Sequence, residues 1–153
     1  MVCAWWPSTQ TPSVPVPPSS RAGAGRGSGS GRRLSPARAA SPFADLQTAP
    51  CWVEISHDGR FLFTTNTGSG SISRYLIAPG GALTLLGTTP VRGGGTVAVT
   101  DERLSPDGRY LFVVESNTGT VGVFAVQRGD LTELASSPAP LPVGAAPAGI
   151  VVT

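Results

Sequence analysis

Four residues carry side chains that could take part in catalysis or binding. They form two pairs, and the two members of each pair are separated by the same number of positions. Glu54 and Arg103 are 49 positions apart, and the same interval separates Trp52 from Asp101. A glutamate can act as a general acid or base, and an arginine can bind a carboxylate or phosphate through two parallel hydrogen bonds. We therefore predict that Glu54 and Arg103 are catalytic and that Asp101 and Trp52 bind substrate. In the structural alternative, Glu54 and Arg103 pair with each other and Asp101 accepts backbone hydrogen bonds.

A Ser-His-Asp hydrolase site finds little support in the sequence. His57 and Asp58 directly follow a serine, but a triad needs a nucleophile and a base that is oriented by a third group. The residue 49 positions after His57 is Pro106, so His57 is better interpreted as a turn residue. One His and two distant Cys do not make a zinc site. We predict no metal and no cofactor.

The equivalence of these positions comes from an internal repeat. Residues 57–63 (HDGRFLF) recur as residues 106–112 (PDGRYLF), and residues 71–75 match residues 120–124 at the same offset of 49. Self-similarity at a period near 50 is typical of propeller repeats. A β-sandwich would account for short strands but not for the repetition.

The repeat also predicts where each unit ends. After the loss of one residue, Thr89-Pro90 aligns with Ser137-Pro138, and a third copy begins at Ala146-Pro147. We therefore predict blade one at about 49–91, blade two at about 97–141 and the first strand of a third unit at 146–153. Because two blades leave blade faces open, we expect self-association through those faces.

Each unit is predicted to contain four short strands joined by turns. Glycine, proline, asparagine and aspartate fill the connections, as in Ser105-Pro106-Asp107-Gly108, and no window shows a sustained helical period. The predicted fold class is therefore all-β, a propeller portion of about two four-stranded antiparallel blades plus one extra strand. The predicted strands are 51–56, 61–66, 71–78 and 83–88, then 99–104, 109–115, 120–126 and 131–135.

The first 42 residues differ in composition from the rest. They contain seven Pro, eight Ser, five Gly and five Arg with no acidic residue, whereas residues 43–153 carry six Arg and nine acids. We predict a disordered segment over 1–42, or a start assigned too early, followed by propeller blades over 43–153. The basic balance of the head does not predict a nucleic-acid partner, since no aromatic residues interleave with its arginines.

Neither a membrane partner nor a compartment is indicated. No run approaches the roughly 20 apolar residues of a membrane span. No signal peptide is visible, so the localisation stays open between cytoplasmic and secreted. The two cysteines, Cys3 and Cys51, are too few for a disulfide framework, and we expect both to be free thiols.

The blade motif resembles that of the seven-bladed β-propeller lactonase family, which includes bacterial 6-phosphogluconolactonase and is similar to the fungal carboxymuconate-lactonizing propeller. The resemblance rests on residues 104–113 (LSPDGRYLFV) and 119–124 (GTVGVF). Residues 48–53 (TAPCWV) with 71–75 (SISRY) resemble an actinobacterial branch of it. His57, where the family usually has Pro, departs from the pattern.

The resemblance implies a function for the intact ring. A ring of this family is expected to hydrolyse a sugar lactone such as 6-phosphogluconolactone, or to bind a related carboxylated sugar, without a redox cofactor. The present blades are under a third of such a ring, so we expect them to be inactive alone. The alternatives are a non-catalytic binding module of the YVTN type, since such surface propellers share the Ser-Pro-Asp-Gly turn, and a truncated product without function.

Overall fold

Residues 44–153 of the computed structural model are described here, and they form two antiparallel sheets. Both sheets follow chain order, each strand pairing with the next, and the only helix in the described part is a single 3-10 turn at Gly94–Thr96. The first sheet contains β1 (Pro50–Ile55), β2 (Phe61–Asn66), β3 (Ser71–Ile77) and β4 (Leu83–Pro90). The second contains β5 (Val99–Leu104), β6 (Tyr110–Glu115), β7 (Thr120–Gln127), β8 (Asp130–Glu133) and β9 (Ala139–Pro140). The predicted all-β class, with its two four-stranded blades, is confirmed; the head 1–42 lies outside the described residues.

The turn between the first two strands is built the same way in both blades. The hydroxyl of Ser56 donates to Asp58 Oδ1 at 2.6 Å, and the same oxygen accepts the Arg60 amide at 3.1 Å. Ser105 and Asp107 repeat this arrangement in blade two. The repeated Asp-Gly sequence therefore encodes a closed turn.

The two blades share one core. Strands β2 and β3 contribute Phe63 and Ile72, and blade two contributes Val99, Leu111 and Phe124, all with no exposed surface. Their continuous apolar runs are explained by this burial between the faces of two sheets. The core ties β5, the first strand of blade two, against β1 and β2 of blade one.

The outer strand of blade two departs from the repeat. Thr120 pairs with Pro140, whereas the equivalent Ser71 of blade one pairs with Pro90. The predicted match of Thr89-Pro90 with Ser137-Pro138 is therefore wrong by two residues. The extra residues lie between β8 and β9, where the Oγ of Ser137 accepts the Val123 amide at 2.9 Å and takes the place of a strand pairing.

Two other features differ from the expectations drawn from sequence. Residues 146–153 form no strand, because no described strand pairs with them through backbone hydrogen bonds. Cys51 is disulfide-bonded, so the expectation of a free thiol is wrong for this residue, while Cys3 lies outside the described residues. The part of the chain described here contains no helix long and apolar enough to span a membrane.

Candidate functional site

The candidate site residues lie on β1 and β5, the first strands of the two blades. A β-bulge precedes Trp52 in β1 and Asp101 in β5, because the pairing skips one residue at the same place in each strand. A bulge re-aims the side chains that follow it. The two strands contact each other across the interface between the blades.

Glu54 and Arg103 meet as an ion pair across this interface. Arg103 Nη1 donates to Glu54 Oε2 at 3.0 Å, and the amide of Leu104 donates to Glu54 Oε1 at 3.2 Å. Both carboxylate oxygens of Glu54 are thus occupied, and its side chain is only 12% exposed. The 49-residue offset correctly predicted that the two residues are neighbours. They pair with each other, as the structural alternative predicted.

The guanidinium of Arg103 keeps donors available beyond this pair. Its side chain is 41% exposed, and a guanidinium has five N–H donors, whereas only Nη1 is bound to Glu54 within the described region. Glu54 binds one nitrogen of the group. The remaining N–H groups can donate to a carboxylate, a phosphate or a developing oxyanion.

Asp101 also accepts backbone hydrogen bonds, as the alternative predicted. Its Oδ1 accepts the Glu102 amide at 2.7 Å, and its Oδ2 accepts the Ile150 amide at 2.8 Å. The side chain is buried. Asp101 therefore links Ile150 to β5 by a hydrogen bond, as Glu54 links β1 to β5.

Trp52 is not joined to the ion pair. Its backbone amide donates to Thr65 Oγ1 at 3.2 Å, and its side chain is half-buried. No hydrogen bond connects Trp52 with Asp101 among residues 44–153. A substrate-binding role for these two residues stays a prediction.

Glu102 is the acidic residue of this region that sequence reasoning missed. It has no exposed surface, and its carboxyl lies near the Glu54 backbone without a hydrogen bond of good geometry to either oxygen. Burial raises the pKa of Glu102 well above its ordinary value, and the nearby charges of Glu54 and Asp101 raise it further. The repeat could have revealed Glu102, because the residue 49 positions earlier is the apolar Val53 and an acid in its place is unexpected.

The His57 region forms a turn and not a hydrolytic triad. The Ser56 hydroxyl that a triad would use donates to Asp58, and this hydrogen bond is the main cause that lowers the pKa of Asp58. Residues 44–153 contain no cluster of three His, Cys, Asp or Glu side chains that could hold a metal ion.

Four-stranded sheets repeated at this interval, with their first strands in contact, define a portion of a β-propeller. Comparison with known families narrows the class. The family described as "Lactonase, 7-bladed beta-propeller" matches residues 29–146. The chain therefore belongs to the seven-bladed β-propeller lactonase family.

Solved structures agree with this assignment. A periplasmic gluconolactonase from Pseudomonas aeruginosa is 29% identical with a TM-score of 0.53, over 56% of this chain and 25% of that one. A putative 6-phosphogluconolactonase from Bacteroides fragilis is 27% identical with a TM-score of 0.52, over the same shares. A putative 6-phosphogluconolactonase from Bacteroides uniformis, at 18% identity and a TM-score of 0.56 over 62% of this chain and 27% of that one, supports the fold alone. No curated protein matches the sequence.

The chain thus spans about a quarter of the length of the solved structures it matches. A complete ring needs blades beyond the two described here.

Proposed function

We propose that this chain supplies two blades to a propeller that hydrolyses a sugar lactone, such as 6-phosphogluconolactone, with Arg103 as a substrate-contacting residue. The observation that carries the proposal is the half-exposed guanidinium of Arg103, which Glu54 holds on the first strand of a blade. The family assignment and the names of the two solved structures more than 25% identical to this chain support the reaction class.

The reaction needs a group that stabilises negative charge. Water attacks the lactone carbonyl carbon, the bond to the ring oxygen breaks, and the ring oxygen takes up a proton to leave an open hydroxy acid. Negative charge develops on the carbonyl oxygen during the attack. Hydrogen-bond donors that already point at this oxygen stabilise the charge and lower the activation barrier. The exposed edge of Arg103 is suited to this charge or to an acidic group of the substrate.

Glu54 has a positioning role in this proposal. Because its oxygens accept from Arg103 and from the Leu104 amide, it is poorly placed to take a proton from water. It fixes the guanidinium plane instead. The base that activates water must then come from elsewhere in the complete ring.

The proposal is tested with the longer protein that completes the ring. Hydrolysis of glucono- and 6-phosphogluconolactone is followed by proton release at constant pH, against the spontaneous rate. Replacing Arg103 with Gln is expected to lower kcat/KM by about 10²–10³-fold, the range found when one oxyanion-stabilising donor is removed. Arg109→Gln is the matched control, since Arg109 lies exposed in a turn and is expected to leave the rate unchanged.

Two outcomes would count against different parts of the proposal. A native ring that hydrolyses neither lactone faster than buffer would remove the enzymatic function and favour a binding module. A native ring that is active, with an Arg103→Gln variant of equal activity, would keep the lactonase and remove Arg103 from its site.

A further inference from the structure

A groove of about 560 Å³ lies between the two blades, at the end where the turns between their first two strands are found. Three turns surround it: the one after β1, the one after β5 and the one that joins β7 to β8. None of the four predicted site residues on β1 and β5 lines it. A ligand in this groove would therefore bind apart from the lactone proposed at Arg103.

The floor of the groove is apolar and fixed. Phe61 and Val126 form it and pack against the common core. The backbone of Gly129 lies directly on the ring of Phe61, so that a β-carbon at Gly129 would come within 2.3 Å of it. The groove is therefore already formed by the contact between the blades.

Three basic side chains stand around this floor: His57, Arg60 and Arg128. The guanidinium of Arg60 lies 5.6 Å from the centre of the Phe61 ring, a cation–π distance that holds the group over the floor. In the described structure the ion pairs involve Arg74, Arg92 and Arg103 only, so neither groove arginine forms an ion pair there, although the charge of Asp58 attracts Arg60.

The two acidic residues of the groove are held within their own turns. Asp58 and Asp107 each use Oδ1 to accept a serine hydroxyl and a backbone amide of the same turn. These hydrogen bonds lower the pKa of both carboxyls. The carboxylates order the turns and keep their negative charge, so an added oxyanion must attract Arg60 more strongly than Asp58 does.

The groove is also where the two blades differ in turn chemistry. His57 replaces the Pro106 of blade two, and its ring reaches the neighbouring turn, 3.4 Å from where a β-carbon of Gly108 would be. Arg128 occupies a turn whose counterpart in blade one reads Pro79-Gly80-Gly81.

Arg128 holds its position in a strained backbone conformation. Its φ is +53°, in the left-handed region, which costs a non-glycine residue roughly 1–2 kcal/mol. Strain of this kind is concentrated at functional sites. Asn, Asp or Gly is the usual residue in such a hairpin turn, so the sequence places a cation at the groove despite the backbone cost.

We propose that this groove binds a small oxyanion ligand, a phosphate monoester or a carboxylate, whose apolar part rests on Phe61. Arg60 and Arg128, which belong to two different turns of the groove, bind the oxyanion through charge-assisted hydrogen bonds. His57, in the same turn as Arg60, supplies a further ring N–H donor.

The sole histidine of the chain gives a direct readout. The ring Cε1–H signal of His57 is recorded by NMR in the 153-residue chain during titration with inorganic phosphate, phenyl phosphate and benzoate. The pH is held constant and the ionic strength is matched with chloride. A saturable shift is expected at millimolar concentrations, and phenyl phosphate is expected to bind more tightly than inorganic phosphate because its ring covers Phe61.

Three variants decide whether the groove is the site. Arg128→Gly fits the left-handed backbone and removes one cation, and Arg60→Gln removes the other; each is expected to weaken phenyl phosphate at least fivefold. Arg109→Gln is the matched control, because Arg109 is the repeat partner of Arg60 and does not line the groove; it is expected to bind normally. A shift that does not saturate by about 50 mM, or an equal loss with Arg109→Gln, would overturn the proposal in favour of general charge screening. Tighter binding of benzoate than of phenyl phosphate would identify a carboxylate as the ligand class, and the reverse order a phosphate monoester.

Discussion

Glu102 and Val53 occupy the same position in successive blades, yet their surroundings are opposite. Glu102 is fully buried against blade one, whereas Val53, on the corresponding face of blade one, is 51% exposed. A buried carboxyl without hydrogen-bond partners lowers stability by roughly 1–3 kcal/mol in proteins. The repeat therefore contains an apolar residue that would fit this place better than the acid does.

Replacing Glu102 with Val is expected to stabilise the chain, and the gain is expected to increase with pH. Because the pKa of Glu102 is raised, the folded protein keeps a proton that the unfolded chain releases above about pH 4.3. The stability contributed by this proton is complete below that pH and is lost as the pH rises through the raised pKa. Urea unfolding at pH 5 and pH 8 measures the difference from the native chain.

Glu102→Gln serves as the control, since it removes the titration and keeps the shape. Burial also raises the pKa of Glu115, so only the difference between native and variant isolates Glu102. An identical pH slope in the native chain and in both variants would show that Glu102 does not retain its proton.

The sequence predicted the residue pairs better than it predicted their surroundings. Glu54 and Arg103 could be matched because a fixed offset places equivalent residues on neighbouring blades. The burial of Glu102 depends on which face of β5 the bulge turns toward blade one, and the alternation of side chains alone does not show this.

At the scale of elements, the β7–β8 hairpin fastens blade two to blade one. Arg74 of β3 forms an ion pair with Asp130 and donates to the carbonyl of Gly129 at 3.3 Å. The close contact of Gly129 with Phe61 completes this attachment. The hairpin therefore belongs structurally to the interface as much as to its own sheet.

Gly129→Ala is expected to push the β7–β8 hairpin away from Phe61. The new methyl group would overlap the Phe61 ring, and the φ of +84° is unfavourable for alanine. We expect a loss of about 2 kcal/mol or more in the free energy of unfolding, measured by urea denaturation. Gly80→Ala, in the counterpart turn with open space around it, is expected to change stability by less than about 0.5 kcal/mol. Equal effects of the two substitutions would mean that the hairpin does not bear on the interface.

The positions of the strands were predictable from the sequence. The alignment of equivalent strands between the two blades was predictable only in part. Strand β2 falls at the predicted residues, because its apolar run and turn glycines are local signals. The match of Pro90 with Pro138 failed, since both similar dipeptides end in proline and so conceal the two residues inserted between β8 and β9.

At the scale of the whole molecule, one face of blade one is exposed, because the described residues include no preceding blade to cover it. Ile55 is 50% exposed, whereas its counterpart Leu104 is 4% exposed beneath blade one. The interface within the chain thus shows what kind of surface would cover Ile55: the face of a preceding blade.

Alanine substitutions at these two positions are expected to differ in cost. Leu104→Ala removes buried contacts and is expected to lower the free energy of unfolding by about 2–4 kcal/mol, whereas Ile55→Ala is expected to cost less than about 1 kcal/mol in the 153-residue chain. In a longer protein that supplies the preceding blade, the cost at Ile55 is expected to rise to that at Leu104. Denaturation of both forms provides the comparison.

Equal costs in the 153-residue chain would contradict this expectation, because Ile55 would already be covered. If the cost at Ile55 grows with protein concentration, copies of the chain associate through this face.

The two residues inserted between β8 and β9 have a consequence for how such a ring changes during evolution. They lie at the outer edge of blade two and leave the pairing of β5, β6 and β7 as it is for β1, β2 and β3. An insertion in β5 would instead move the Leu104 amide away from Glu54 and turn Glu102 to the opposite face. Insertions and deletions should therefore accumulate at the rim of the ring, while blade length around the channel stays constant from one descendant to the next.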